Sequence, residues 1–202
     1  MKTLKILIAE DEGLVAAGLK SQVEALGHQV VGLAKDGEEA VELTARLAPD
    51  LVLMDVRMPR VDGLQAAKQV QETRPTPILF ITAHSDVQLA AEASQAGAQG
   101  YLVKPVTGPQ LQPAIQVALA RFAELSTLRR TVRDLQEDIE ARKHVERAKG
   151  ILMKRLRLDE GAAFTLLQRR SRNTRKPMAE VAAHIIAADT FFADLEKDLH
   201  SA

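Results

Sequence analysis

The chain has 202 residues, with 27 Lys+Arg balanced by 27 Asp+Glu, 46% hydrophobic residues, 3% aromatics, no Cys and no Trp. That length suits a domain of about 120 residues joined to a smaller one. The lack of Cys excludes a disulfide framework and thiolate chemistry at zinc, iron–sulfur or nucleophilic sites, and no run of about 18 apolar residues is present to form a membrane span.

From the N-terminus, Met1-Lys2-Thr3-Leu4 leads to acids at Glu10, Asp11 and Glu12 without an apolar stretch long enough for a signal peptide, so a cytoplasmic setting is expected. Five short aliphatic runs recur, at 4–9, 30–34, 51–54, 78–81 and 101–103. Each is nearly all apolar, as a parallel strand buried on both faces requires. Helix-length amphipathic stretches alternate with them, at roughly 13–26, 37–47, 63–73, 85–96 and 108–121, with Gly27, Pro49, Pro75, Pro77, Gly97 and Gly100 marking their ends. Strand–helix units in this alternation, joined by right-handed crossovers, predict an α/β domain built on a doubly wound, five-stranded parallel sheet.

Open parallel sheets bind ligands beyond the carboxyl ends of their strands, so the residues that follow each strand carry the chemistry. Here they are Glu10 and Asp11 after the first strand, Asp55 closing the third, Thr82 closing the fourth, and Lys104 closing the fifth, followed by Pro105. Carboxylates brought together repel unless a cation compensates, and an all-oxygen donor set suits Mg2+. Read without that convergence, Glu10-Asp11-Glu12 are solvated acids at a helix start and Lys104 is a surface charge. The histidines at 28, 84, 144, 184 and 200 have no ligand spacing.

The ordered set of Glu10-Asp11, Leu53-Met54-Asp55-Val56-Arg57-Met58-Pro59 with Asp62-Gly63, Thr82-Ala83, and Lys104-Pro105 resembles the bacterial response-regulator receiver family over about residues 3–122. The resemblance implies a flavodoxin-like receiver in which Asp55 is the phosphoacceptor for a sensor histidine kinase. It further implies Mg2+ held by Glu10, Asp11, Asp55 and the backbone carbonyl of Arg57, phosphoryl oxygens bound by Thr82 and Lys104, and a cis Lys104–Pro105 bond. Such a domain catalyses only its own phosphorylation and dephosphorylation, and no second acid/base or cofactor set marks a metabolic enzyme. Tyr101, the only Tyr, falls where this family often has a switching aromatic; plain core packing is the other reading.

A long helix is expected to leave the receiver. Its apolar residues Leu125, Leu128, Val132, Leu135 and Ile139 step by 3, 4, 3 and 4, the spacing of a coiled-coil seam over about two heptads. Such a helix either joins a second copy in a phosphorylation-dependent homodimer or lies on its own protein. Further on, residues 142–176 hold 12 basic and 3 acidic side chains, against 10 and 14 in residues 1–120 and 1 and 5 in residues 177–202. That concentration is a candidate polyanion footprint. Residues 145–157, 159–171 and 177–188 read as three helices, with Asp159 an N-cap, Pro177 in a first turn, and 189–202 a last short helix.

Val145-Glu146-Arg147-Ala148-Lys149-Gly150-Ile151-Leu152-Met153, then Ala162-Ala163-Phe164 and Val181-Ala182, resemble the ANTAR domain, the RNA-binding output module of antitermination regulators, over about residues 135–190. The resemblance implies a three-helix module that binds RNA hairpins and keeps a terminator from forming. Lys149, Lys154, Arg155, Arg157, Arg169, Arg170, Arg172, Arg175 and Lys176 are the expected phosphate contacts, while small Ala148 and Gly150 permit close approach of helix or backbone. Phe164 reads either as bundle core or as a base-stacking aromatic, and 172–177 as a basic contact loop. The predicted organisation is a receiver at 1–122, a helical linker at 123–143 and an ANTAR-like domain at 144–202. A DNA-binding helix-turn-helix regulator and a protein–protein adaptor with a basic tail are the competing functions.

Overall fold

The computed structural model describes residues 2–83, 92–93 and 95–200. Two compact units divide the chain, residues 1–127 and residues 128–202. In the first, strands β1 (Lys5–Ala9), β2 (Gln29–Ala34), β3 (Leu51–Asp55), β4 (Ile78–Thr82) and β5 (Gly100–Val103) pair in parallel in the order β2-β1-β3-β4-β5. This is the flavodoxin-like doubly wound order. Successive side chains on a strand point to opposite faces. Ile6, Ile8, Leu51, Leu53, Leu79 and Ile81 therefore build one core, and Leu7, Ala9, Val52, Met54, Ile78 and Phe80 build the other.

Helix α1 (Gly13–Ala25) covers the first of these faces through Leu19 and Val23, and α2 (Gly37–Leu47) and α3 (Gly63–Thr73) cover the second through Ala40, Leu43, Ala66, Ala67 and Val70. The sequence expectation of five strands buried on both faces needs correction at the edges. β3 and β4 are buried along their whole length, but β2 and β5 are half exposed because no strand lies beyond them. The helix expected at 85–96 lies largely outside the described residues; 92, 93 and 95 are helical.

Helix α4 (Gly108–Leu156) is a single element of 49 residues. At its start the Thr107 N–H and hydroxyl both donate to Gln110 Oε1, at 3.1 and 2.9 Å, so the Gln110 side chain reaches back to cap the residue before the helix. Pro113 sits in its second turn, where one missing N–H leaves the rest of the ladder intact. Leu111, Ile115 and Ala118 complete the first sheet-face core. The separate helix expected at 145–157 is thus the end of α4, since no Pro or unpaired backbone interrupts it.

In the second unit, α5 (Glu160–Thr174) is capped by Asp159, whose carboxylate accepts from the Ala162 N–H at 2.7 Å, and α6 runs from Met178 to His200. The short helix expected at 189–202 is therefore a continuation of α6 as far as His200, and 201–202 lie outside the described residues. Pro177 precedes that helix, its carbonyl accepting from Glu180 and Val181. Ala148, Leu167, Val181 and Ala182 form the buried centre, packed round by Val145, Leu152, Met178, Ile185 and Ile186. Ala148 is small enough to let the helices close over it. No helix among the described residues is long and apolar enough to cross a membrane.

Candidate functional site

In this strand order the crossovers leave β1 and β3 in opposite directions, which opens a crevice past their carboxyl ends. Both ends are acidic. Glu10, Asp11 and Asp55 each bring a carboxylate oxygen to within 4.8 Å of the others. Lys104, just past β5 and joined to Pro105 by a cis peptide bond, reaches back across the crevice. Its Nζ donates to Asp55 Oδ2 at 2.8 Å and to Glu10 Oε1 at 3.1 Å, and lies 2.8 Å from Glu10 Oε2. The Lys104 N–H donates to the Thr82 carbonyl at 2.8 Å, which ties the end of β5 to the end of β4. Thr82 is buried there, and the Arg57 N–H points at Asp55 Oδ1 from 3.4 Å. Tyr101, on edge strand β5, is 45% exposed rather than packed in the core.

The loop after β3 is shaped by close backbone approach. Gly63 opens α3 with its N–H donating to the Val56 carbonyl at 2.8 Å, and a Cβ there would lie 2.0 Å from the Asp55 carbonyl oxygen. Asp62 caps that helix by accepting from the Gln65 N–H at 2.8 Å. The Asp62-Gly63 pair therefore fixes where the Asp55 strand end lies, although neither side chain carries a reactive group.

Electrostatics favour a cation in the crevice. Burial is the largest influence on Glu10 and pushes its carboxyl above the usual range; the Lys104 hydrogen bond pulls it back, and the Asp55 charge raises it further. For Lys104, burial pulls the ammonium down, but hydrogen bonds to Asp55 and Glu10 and their charges outweigh it and hold the group above its ordinary value. Three carboxylates face one ammonium, which touches both oxygens of Glu10 and one of Asp55. An all-oxygen donor set with excess negative charge fits Mg2+.

The structure sorts the nine cations expected at the second unit. Lys149 is turned inward, its Nζ donating to Glu146 Oε1 at 2.9 Å and to Glu160 Oε1 at 2.7 Å, so it is already neutralised. Lys176 pairs with Glu180, and Arg155 Nε donates to Asp189 Oδ1 at 2.8 Å. Lys154, Arg157, Arg169, Arg170, Arg172 and Arg175 are exposed. Arg172 belongs to α5, so the contact loop expected at 172–177 shrinks to Arg175, Lys176 and Pro177; Arg175 ends the helix in the left-handed conformation. Phe164 is 40% exposed, which corrects the bundle-core reading. Sequence reasoning passed over Arg147, an exposed cation inside the Glu146–Gly150 run.

Comparison with known proteins fits both halves. The response regulator receiver domain model matches residues 6–116 and the ANTAR domain model residues 133–186. The chain belongs to the response regulators with an ANTAR output. The transcriptional regulatory protein PdtaR of Mycobacterium tuberculosis is 44% identical to this response regulator over 182 residues, covering 90% of this chain and 89% of PdtaR. Among solved structures, the receiver domain of a modulated diguanylate cyclase from Desulfovibrio desulfuricans G20 aligns with a TM-score of 0.56 at 36% identity, covering 60% of this chain and 98% of that one. The receiver domain of the NarL regulator from Mycobacterium tuberculosis aligns with a TM-score of 0.57 at 33% identity, covering 59% and 98%. As a response regulator the chain pairs a regulatory phosphoacceptor domain with an RNA-binding output, and both kinds of domain are regulatory rather than metabolic.

Proposed function

We propose that this response regulator stores a signal as an acyl phosphate on Asp55 and answers it by binding RNA hairpins through its C-terminal domain, acting as a transcription antiterminator. The observation that carries the reading is the Lys104 ammonium held between Asp55 and Glu10 at the rim of the sheet, in a chain that also has an ANTAR module. A carboxylate oxygen of Asp55 attacks the phosphorus of a sensor kinase's phosphohistidine; the O–P bond forms as the N–P bond breaks, and the freed imidazole takes a proton from solvent. Lys104 neutralises charge on the transferring oxygens, and the Thr82 hydroxyl hydrogen-bonds one of them. Glu10, Asp11, Asp55 and the Arg57 carbonyl would hold Mg2+, which would offset the charge of phosphoryl and carboxylates together.

The product adds about −1.5 to −2 charges at one point. As Thr82 turns to that group, Tyr101 moves from its exposed position to the space behind it, and the face around β5 changes shape. The exposed Leu125, Leu128, Val132, Leu135 and Ile139 seam then joins two copies, so that two modules meet two hairpins with raised effective concentration. Domain limits of 1–122, 123–143 and 144–202 suit this division of labour.

Intact-mass measurement after exposure to acetyl phosphate and Mg2+ tests the first half: wild type gains one phosphoryl group and Asp55→Ala none. Hairpin RNA and duplex DNA, titrated at several salt concentrations with and without acetyl phosphate, test the second. Equal binding of RNA and DNA, unmoved by phosphorylation, would refute the reading.

A further inference from the structure

Within the second unit, the end of α4 and the middle of α6 bound a cleft of about 630 Å3. Arg147, Lys154, Arg155 and Arg157 line it together with Gly150, and Asp189 is its one acidic residue among the described residues. Positions 147, 151, 154 and 155 recur on one helical face, and from Arg147 to Arg155 the row extends roughly 12 Å along the axis. A row of charges that long matches successive phosphates of a strand better than a single carboxylate. Guanidinium groups also suit phosphate oxygens by their two-pronged geometry.

Two further observations bear on the cleft. Gly150 lies inside a helix, where glycine is destabilising relative to Ala, yet a Cβ built there meets nothing within 4 Å, so no packing in this chain requires its missing side chain. The space it leaves lies on the cleft. Arg155 is also the cleft's one cation with a carboxylate partner among the described residues, held by Asp189 Oδ1 at 2.8 Å. Asp189 thus stands where a phosphate oxygen would bind.

We infer that this cleft seats the phosphodiester backbone of one RNA strand, with Gly150 admitting close approach, and that Asp189 is a resident carboxylate competing with RNA phosphate for Arg155. The inference rests on the RNA-binding reading of the module. It adds Arg147 to the residues that meet phosphate and makes Asp189 a brake on affinity.

The test is fluorescence anisotropy of the full chain with a fluorescein-labelled RNA stem-loop across a salt series. Arg147→Gln/Lys154→Gln weakens binding and flattens the slope of log affinity against log salt by about two, one for each phosphate that no longer faces a cation. Lys20→Gln/Lys68→Gln, the same charge change on the receiver, leaves the slope as in wild type. Asp189→Asn binds about two- to five-fold tighter at fixed salt, the range an exposed ion pair is worth. Circular dichroism checks helix content in each variant, and a gain of affinity in Asp189→Asn is not a result that misfolding produces. A wild-type chain that does not bind the RNA at low salt overturns the RNA-binding reading itself. Wild-type binding with an unchanged slope in Arg147→Gln/Lys154→Gln, or unchanged affinity in Asp189→Asn, overturns this inference alone.

Discussion

Replacing Gly63 by Ala adds one methyl group at the point where α3 touches the end of the Asp55 strand. The new Cβ would sit 2.0 Å from the Asp55 carbonyl oxygen and 3.0 Å from both Asp55 C and Val56 Cα, all backbone atoms that cannot rotate away. The helix start must retreat by roughly 1 Å or more to reach even a tight contact, at an overpacking cost of about 1–3 kcal/mol. That retreat also breaks the 2.8 Å bond from the Gly63 N–H to the Val56 carbonyl, worth about 1 kcal/mol. The lower chain entropy of Ala in the unfolded state returns about 0.4–1 kcal/mol. The net loss is about 1–3.5 kcal/mol, or a drop of roughly 0.5–2 M in the urea midpoint of the receiver at an m-value of about 2 kcal/mol/M. Tyr101 is the chain's only Tyr and there is no Trp, so intrinsic tyrosine emission follows this domain alone. Gly13→Ala is the matched control: its Cβ meets nothing within 4 Å, and stability should stay within about 0.5 kcal/mol of wild type or rise slightly. Acyl phosphate formation should slow in Gly63→Ala and not in Gly13→Ala. Equal urea midpoints for the two variants would refute the steric reasoning.

Lys104→Gln should destabilise the metal-free receiver at neutral pH, because Glu10 and Asp55 lose their counter-charge. The folded Lys104 sits above its ordinary value of 10.5, so its contribution is present below pH 10.5 and fades as pH rises through the higher folded value; urea titrations at neutral and strongly alkaline pH read the difference shrinking. Glu10→Gln acts in the opposite sense. The folded Glu10 carboxyl is raised above 4.5, so its ionised form weighs against the fold at neutral pH, and in EDTA the amide variant should be the more stable there, with the two converging below pH 4.5. The same variant should bind Mg2+ more weakly, measured by calorimetry. In the second unit, Leu167→Ala removes a fully buried side chain from the small core and should cost about 2–5 kcal/mol, seen as early melting of the α-helical signal with receiver tyrosine emission unmoved.

Much of the receiver is legible in the sequence because its signals are local. Aliphatic runs of strand length, glycines and prolines between them, and acids, a hydroxyl and a lysine just after the strands all follow from backbone geometry and burial, which act over a few residues. Asp159 is an N-cap as expected, and Asp62 is one as well. Element ends are less legible. The expected breaks near 145 and 189 do not occur, because no residue there removes a backbone hydrogen bond, and a change in charge or hydropathy does not by itself end a helix.

The sequence by itself determined the strand–helix alternation, the acidic and lysine-bearing strand ends, and the cationic stretch from 142 to 176. Only the tertiary structure decided which of those charges meet. It turned Lys149 onto Glu146 and Glu160, set Asp189 against Arg155, and brought Lys104 to Asp55 across 49 residues of chain. The reason is that composition counts charges while electrostatic energy depends on distance and burial, and those are fixed only when separate elements pack.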